Sequence, residues 1–101
     1  LLLLERTFDF LADKITLTDR MRFQDIPESI TEHFVTEERP EKADGMVRIG
    51  GSRLIYDAEA FGCRVSEKTF ETGHGKKTVY MIDLELLEVK KDIELNFAFI
   101  I

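Results

Sequence analysis

The sequence predicts an all-β protein, an antiparallel β-sandwich of about eight strands built from hairpins. Three observations support this class. Apolar and polar residues alternate with a period of two along the whole chain, the breaks between the alternating segments are short and polar, and no segment keeps a helical period. Strands with one apolar and one wet face must bury the apolar face, so two stacked sheets are expected.

Eight segments carry the alternating pattern, and we predict strands at 2–10, 14–23, 29–37, 45–50, 52–57, 61–70, 77–88 and 93–101. Both prolines, Pro27 and Pro40, fall in the breaks, where no hydrogen bond of a sheet is lost. The stretch DLELLEVKKDIEL could also form a short amphipathic helix, but its flanks TVYMI and FAFII favour strands.

The first two segments predict a hairpin with one misplaced acid. A turn at Ala12 and Asp13 pairs residues whose numbers sum to 25, and it aligns apolar residues along one face. Asp19 interrupts that face, but the same register sets Arg6 directly across from it, within reach of an ion pair. We interpret Arg6 and Asp19 as a structural ion pair rather than a catalytic acid and its partner.

A second hairpin is predicted at VKKD, with pair numbers that sum to 181. In that register Leu84 faces Phe97 and Ile82 faces Phe99, so apolar residues again match along one face.

Composition limits the classes of function. The chain has 101 residues, 44% of them apolar, and a net charge of −6. This charge argues against nucleic acid as a partner, because phosphates demand a basic surface, and it weakens the case that the chain alone grips a membrane or an acidic polysaccharide. The opening LLLLERTF is too short for a signal peptide core or a membrane span. We expect one domain over 1–101, the C-terminal part of a longer chain, and the compartment stays open.

No catalytic, metal or cofactor site stands out. His33 and His74 are far apart and lack metal-ligand spacing, so no metal and no cofactor are predicted. The single cysteine, Cys63, alternates with apolar residues and is expected to be buried. The serines lack a nucleophile motif. The numerous acids are interpreted as a solvated face rather than a glycosidase pair, and they are Glu28, Glu32, Glu37, Glu38, Glu41 and Glu59.

Ligand contacts have only weak candidates. Sugar-binding modules commonly present flat aromatic side chains, but this chain has no Trp, and both of its tyrosines lie in apolar runs. Tyr56, and His74 in the glycine-flanked loop TGHGKK, are the two residues that we consider.

An ordered series of degenerate motifs resembles the C-terminal strands of heparinase II/III-like polysaccharide lyases. The motifs, in order, are RTFDF, ITLTDRMRF, SITEHFVTEERPE, GMVRIGGSRLIYD and KKTVYMIDLEL. The resemblance implies an α/α toroid followed by an antiparallel β-sandwich, in an enzyme that cleaves acidic polysaccharides by β-elimination. The catalytic Tyr and His of such lyases lie in other parts of the enzyme, so no catalytic residue is carried over to this chain.

The leading hypothesis is therefore an accessory β-sandwich domain, inactive alone, whose partner is the catalytic toroid of the parent chain. Polysaccharide is a further candidate partner. Open edge strands would also allow a homodimer. The alternative is a free-standing carbohydrate- or protein-binding module. A small hydrolase is disfavoured, because no nucleophile, metal set or acid pair stands out.

Overall fold

The computed structural model describes residues 2–101 and confirms the all-β, antiparallel class. Nine strands form within these residues, and they are β1 (Leu3–Phe10), β2 (Lys14–Arg22), β3 (Thr31–Thr36), β4 (Pro40–Ala43), β5 (Met46–Ile49), β6 (Ser52–Ile55), β7 (Phe61–Thr72), β8 (Gly75–Leu86) and β9 (Asp92–Ile100). Buried and more exposed positions alternate along β3 and β9 and in parts of β2 and β8, in agreement with the period of two in the sequence, whereas β1 is exposed along nearly its whole length.

The strands form two sheets of unequal size. Six strands, in the order β1-β2-β9-β6-β5-β4, form the larger sheet, and three strands, in the order β3-β8-β7, form the smaller one. Every pairing is antiparallel. The buried side chains of both sheets make one apolar core between them, with β2, β9, β6 and β5 contributing from the larger sheet and β8 and β7 from the smaller.

The register of the first hairpin is as predicted. Phe10 pairs with Ile15, Phe8 with Leu17 and Arg6 with Asp19. The turn and the apolar alternation specify this register together, because a slip of one residue would move every apolar side chain of one strand to the opposite face.

The strand β4 lies in a segment that was not predicted to be a strand, between the predicted strands 29–37 and 45–50. The four residues of β4 pair with β5 alone and form one edge of the larger sheet. Glu41, Lys42 and Ala43 are all exposed, so no apolar alternation marks this strand. Pro40 begins it, which an edge strand tolerates because one side of its backbone needs no donor.

The second predicted hairpin is wrong. β8 pairs with β3 and β7, whereas β9 pairs with β2 and β6 in the other sheet, and residues 87–91 connect the two sheets. Ile82 and Leu84 do lie in one core with Phe97, but they reach it from the opposite side of the sandwich. Matched apolar positions fit two strands that face each other across a core as well as two strands that pair within a sheet.

β7 and β8 form a hairpin whose strands reach closer to their turn than the predicted segments 61–70 and 77–88 do. Its strands continue through most of ETGHGKK and meet at a two-residue turn of Gly73 and His74, where Thr72 pairs with Gly75. Gly75 has a φ of 117°, a backbone conformation that residues other than glycine rarely adopt. The segment expected to be a loop is thus the tip of an extended two-stranded arm.

Candidate functional site

A cluster of three charged residues lies where the two sheets meet at the β1 side of the sandwich. Arg6 Nε donates to Asp19 Oδ1 at 2.7 Å, and Arg6 Nη2 donates to Asp19 Oδ2 at 2.7 Å. This is the fork-to-fork geometry that guanidinium and carboxylate favour. The ion pair predicted from the hairpin register is therefore present. Both side chains lie on the core-facing side of the larger sheet.

Glu32 completes the cluster from the smaller sheet. Arg6 Nη2 also donates to Glu32 Oε2 at 3.2 Å, so one guanidinium joins an edge strand of each sheet. We refer to Arg6, Asp19 and Glu32 as the charged cluster. The interpretation of Glu32 as part of a solvated acidic face is wrong, because its side chain is only 10% exposed. Its sequence carries a signal that could have revealed this, since Glu32 shares strand parity with Ile30 and Phe34, which both pack on the core.

The two carboxyl groups are affected in opposite directions. Hydrogen bonds from Arg6 hold the pKa of Asp19 below its usual value, against the effect of burial. Burial, followed by hydrogen bonding and charge repulsion with Asp19, raises the pKa of Glu32 to about 7. Arg6 thus keeps Asp19 ionised, while Glu32 keeps its proton to a higher pH than a free carboxyl group does.

Carboxyl groups with separated pKa values are also used by acid–base enzymes, so access to the cluster matters. The Asp19 side chain is 0% exposed, while Arg6 is 49% exposed and covers it from the solvent side. A substrate cannot approach the Asp19 oxygens, which Arg6 already occupies. The geometry therefore favours the structural interpretation of the pair.

Glu32→Gln should change how stability depends on pH. Because the folded state raises the pKa of Glu32 from 4.5 to about 7, the folded protein binds this proton more tightly than the unfolded chain does. Stability from this residue is then present at low pH and is lost as the pH rises through that interval, by an amount on the order of 1–3 kcal/mol. Glutamine cannot ionise, so the variant should lose this dependence and gain relative stability at pH 8.

Urea unfolding of both proteins at pH 5 and pH 8 measures this effect. The difference between wild type and Glu32→Gln isolates residue 32 from the other titrating groups. The same change at Glu38, which is exposed, provides a matched control and should leave the pH dependence as it is. Parallel pH profiles for wild type and Glu32→Gln would contradict the account of the cluster.

The two weak ligand-contact candidates are in very different surroundings. Tyr56 belongs to the buried core, and burial raises its pKa to about 12, so its phenol keeps its proton and cannot serve as a base near neutral pH. His74 is exposed in the turn between β7 and β8. A sugar platform needs an exposed ring face, which Tyr56 does not offer.

His33 and Cys63 take ordinary positions. His33 points outward, opposite to Phe34 as expected, and its Nδ1 lies 2.6 Å from Asp83 Oδ1. Cys63 is partly exposed on an edge strand, although its side chain packs against the core, so the prediction of a buried thiol holds only in part.

An apolar strip on β1 lies beside the charged cluster. Leu4, Phe8 and Phe10 share the face of Leu17 and Asp19 through their pairings with β2, yet they are 58%, 47% and 74% exposed. The predicted register of the first hairpin places these phenylalanines on its apolar face, which is expected to be buried. Their parity is right, but a three-stranded sheet cannot cover six strands, and β1 extends beyond it. We call Leu4, Phe8 and Phe10 the β1 strip.

One described cavity, of about 500 Å³, has an acidic lining. It contains one lysine, Lys90, and five carboxylate residues, which are Asp57, Glu59, Glu88, Asp92 and Glu94. A uronate or sulfate group would meet negative charge here, so this cavity does not suit an acidic polysaccharide.

Residues 2–101 contain no group of three or more His, Cys, Asp or Glu side chains arranged to hold a metal ion. Across the same residues, no helix is long and apolar enough to cross a membrane.

Comparisons with known proteins do not assign this chain to a family. No protein-family model matches it, and no curated protein matches it either.

Proposed function

We propose that this chain is an accessory β-sandwich domain of the kind that ends a heparinase II/III-like polysaccharide lyase. In this proposal it supports the catalytic toroid by packing against it and performs no β-elimination itself. The resemblance in the sequence suggests the class of parent enzyme, and the β1 strip suggests the mode of action.

The β1 strip is the observation that carries the proposal. Exposed apolar residues are common singly, but here three of them share the core-facing side of one edge strand, with only Arg6 between Leu4 and the two phenylalanines. Phe8 and Phe10 also stack on each other, with ring centroids 6.3 Å apart. Together the two rings leave roughly 200 Å² of aromatic surface for a partner. A face of this kind is typical of a domain that is covered in its assembly.

Two further features support a role without catalysis. The most perturbed carboxyl groups, Asp19 and Glu32, are almost wholly buried and already bonded to Arg6. The acidic cavity would repel the polyanions on which such lyases act. A sugar-binding module without enzymatic parentage is the weaker alternative, because the buried Tyr56 offers no platform and His74 stands alone at a turn.

Complementation tests the proposal. The toroid of a heparinase II/III-like lyase, cut before its last sandwich strands, is assayed with heparan sulfate for unsaturated uronate, with and without this chain. We expect the chain alone to be inactive and its addition to restore activity. Phe8→Ser with Phe10→Ser should weaken this effect roughly thirtyfold in the concentration required, because each ring gives about 1 kcal/mol on burial.

Phe70→Ser is the matched control, since Phe70 is also an exposed phenylalanine but lies on β7, far along the chain from the strip. It should complement like wild type. Lyase activity of the chain alone would overturn the accessory role. Equal complementation by the double variant and the wild type would show that the β1 strip is not the contact.

A further inference from the structure

The strand β3 has an unpaired edge whose free groups can be assigned. β3 pairs with β8 on one side and ends the smaller sheet on the other. Leu86 N donates to Ile30 O, which marks Ile30 and Leu86 as a hydrogen-bonded pair. Because such pairs alternate along an antiparallel ladder, Glu32, Phe34 and Thr36 bond to β8. The N–H and C=O groups of Thr31, His33 and Val35 therefore point to the open edge.

The place beside this edge lies above the β1 strip. Glu32 contacts Arg6 of β1, and Phe34 packs edge-on against Phe97 and Phe99 of β9, with ring centroids 5.6 Å and 5.5 Å away. β3 thus runs over the β2 and β9 side of the larger sheet and leaves β1 uncovered. Neighbouring strands in a sheet are about 4.8 Å apart, so a strand added to β3 would lie over β2 and β1. Its inward side chains would meet Phe8 and Phe10.

The charge at this place favours a basic residue in the occupant. The charged cluster contains two carboxyl groups and one guanidinium, and Arg6 directs two of its three hydrogen bonds to Asp19. Arg6 reaches Glu32 through a single longer bond, of 3.2 Å, and Glu32 lies on β3 itself. When Glu32 ionises, Arg6 alone cannot balance two carboxylates, and a cation on the added strand, opposite Glu32, would balance the second one.

We propose that the open edge of β3 binds an extended polypeptide segment as a fourth strand of the smaller sheet, with apolar side chains over the β1 strip and one basic side chain opposite Glu32. This is strand addition, in which main-chain hydrogen bonds give affinity and alternate side chains give specificity. It deepens the proposed accessory role by naming the chemistry of the contact, and it stands whether or not the partner belongs to a lyase.

A synthetic peptide, acetyl-Ile-Thr-Val-Thr-Arg-Thr-Leu-amide, tests this chemistry. Laid antiparallel to β3, it places Arg opposite Glu32, Val opposite Phe34 and threonines on the outer face. We expect the full chain to bind it with a dissociation constant below about 1 mM. Hydrogen exchange should slow at the amides of Thr31, His33 and Val35, which have no partner strand in the free protein, and change little at Glu32 and Phe34.

Two matched controls test the basic side chain of the peptide and the main-chain donors of β3 separately. At pH 8, where Glu32 is ionised, the same peptide with Glu in place of Arg should bind at least about tenfold more weakly, because it puts a like charge beside Glu32. Val35→Pro removes one donor from the open edge and none from the ladder to β8, so this variant should bind more weakly than Val35→Thr. If Val35→Pro does not fold, Phe10→Ser gives a second test. It removes an exposed ring of the β1 strip and should also bind the peptide more weakly.

Four results would overturn the proposal. One is the absence of binding at millimolar peptide, and another is equal binding of the Arg and Glu peptides. The third is protection at the amides of β1 instead of those of β3, and the fourth is a stable dimer of the chain that the peptide does not displace. Each of these is distinct from failure of complementation, since none of them involves a lyase or its substrate.

Discussion

Arg6→Ala should lower the free energy of unfolding by about 3 kcal/mol at neutral pH, because it leaves a buried carboxylate without its partner. Asp19 has no exposed surface, and both of its oxygens accept hydrogen bonds from Arg6. The variant also removes the only guanidinium that contacts Glu32 within the charged cluster. The deficit should shrink as the pH falls, since protonation removes the uncompensated charge.

Arg22→Ala is the matched control for this effect. Arg22 lies on the neighbouring strand β2, and its Nε bonds to Asp92 Oδ1 at 2.9 Å, but both side chains are largely exposed. Exposed ion pairs contribute about 0–1 kcal/mol, so this variant should unfold close to wild type. Urea denaturation curves that coincide for the Arg6 and Arg22 variants would refute the structural interpretation of the Arg6 pair.

Leu84→Ala should cost about 3 kcal/mol, within the range for a leucine truncated in a packed core. Leu84 lies on β8, the central strand of the smaller sheet, and it is wholly buried against side chains of the larger sheet. Removing its methyl groups leaves a cavity between the sheets, which the surrounding strands cannot close without breaking their own hydrogen bonds.

Leu87→Ala provides the comparison, because the same residue type three positions later is exposed in the connection between the sheets. Its truncation should change stability by less than about 0.5 kcal/mol. The same denaturation experiment measures both variants. Similar losses of unfolding free energy for the two leucine variants would contradict the placement of β8 over the core.

The charged cluster shows which contacts a local sequence pattern can predict and which it cannot. The contact of Arg6 with Asp19 could be predicted because a short turn and an apolar alternation together leave one register. Glu32 shows the same kind of misplacement on an apolar face, but no turn links it to β1 or β2. Its meeting with Arg6 depends on how the two sheets stack, which involves residues 26 positions apart.

The failed prediction of a hairpin at VKKD has a related cause. The alternation in β8 and β9 gives the correct inward residues, since Leu84 and Phe97 are both buried. It cannot say whether the two strands exchange hydrogen bonds or face each other across the core. Only the course of residues 87–91, which pass from one sheet to the other, distinguishes the two arrangements.

The sequence by itself determined the strand character of the chain, the parity of nearly every inward side chain and the register of the first hairpin. These properties depend on the period of two and on short turns, which act between residues close in sequence. The tertiary structure alone decided which strands share a sheet, that three strands cover six, and hence that Leu4, Phe8 and Phe10 are exposed. Coverage depends on the size and stacking of whole sheets, and no single strand encodes that.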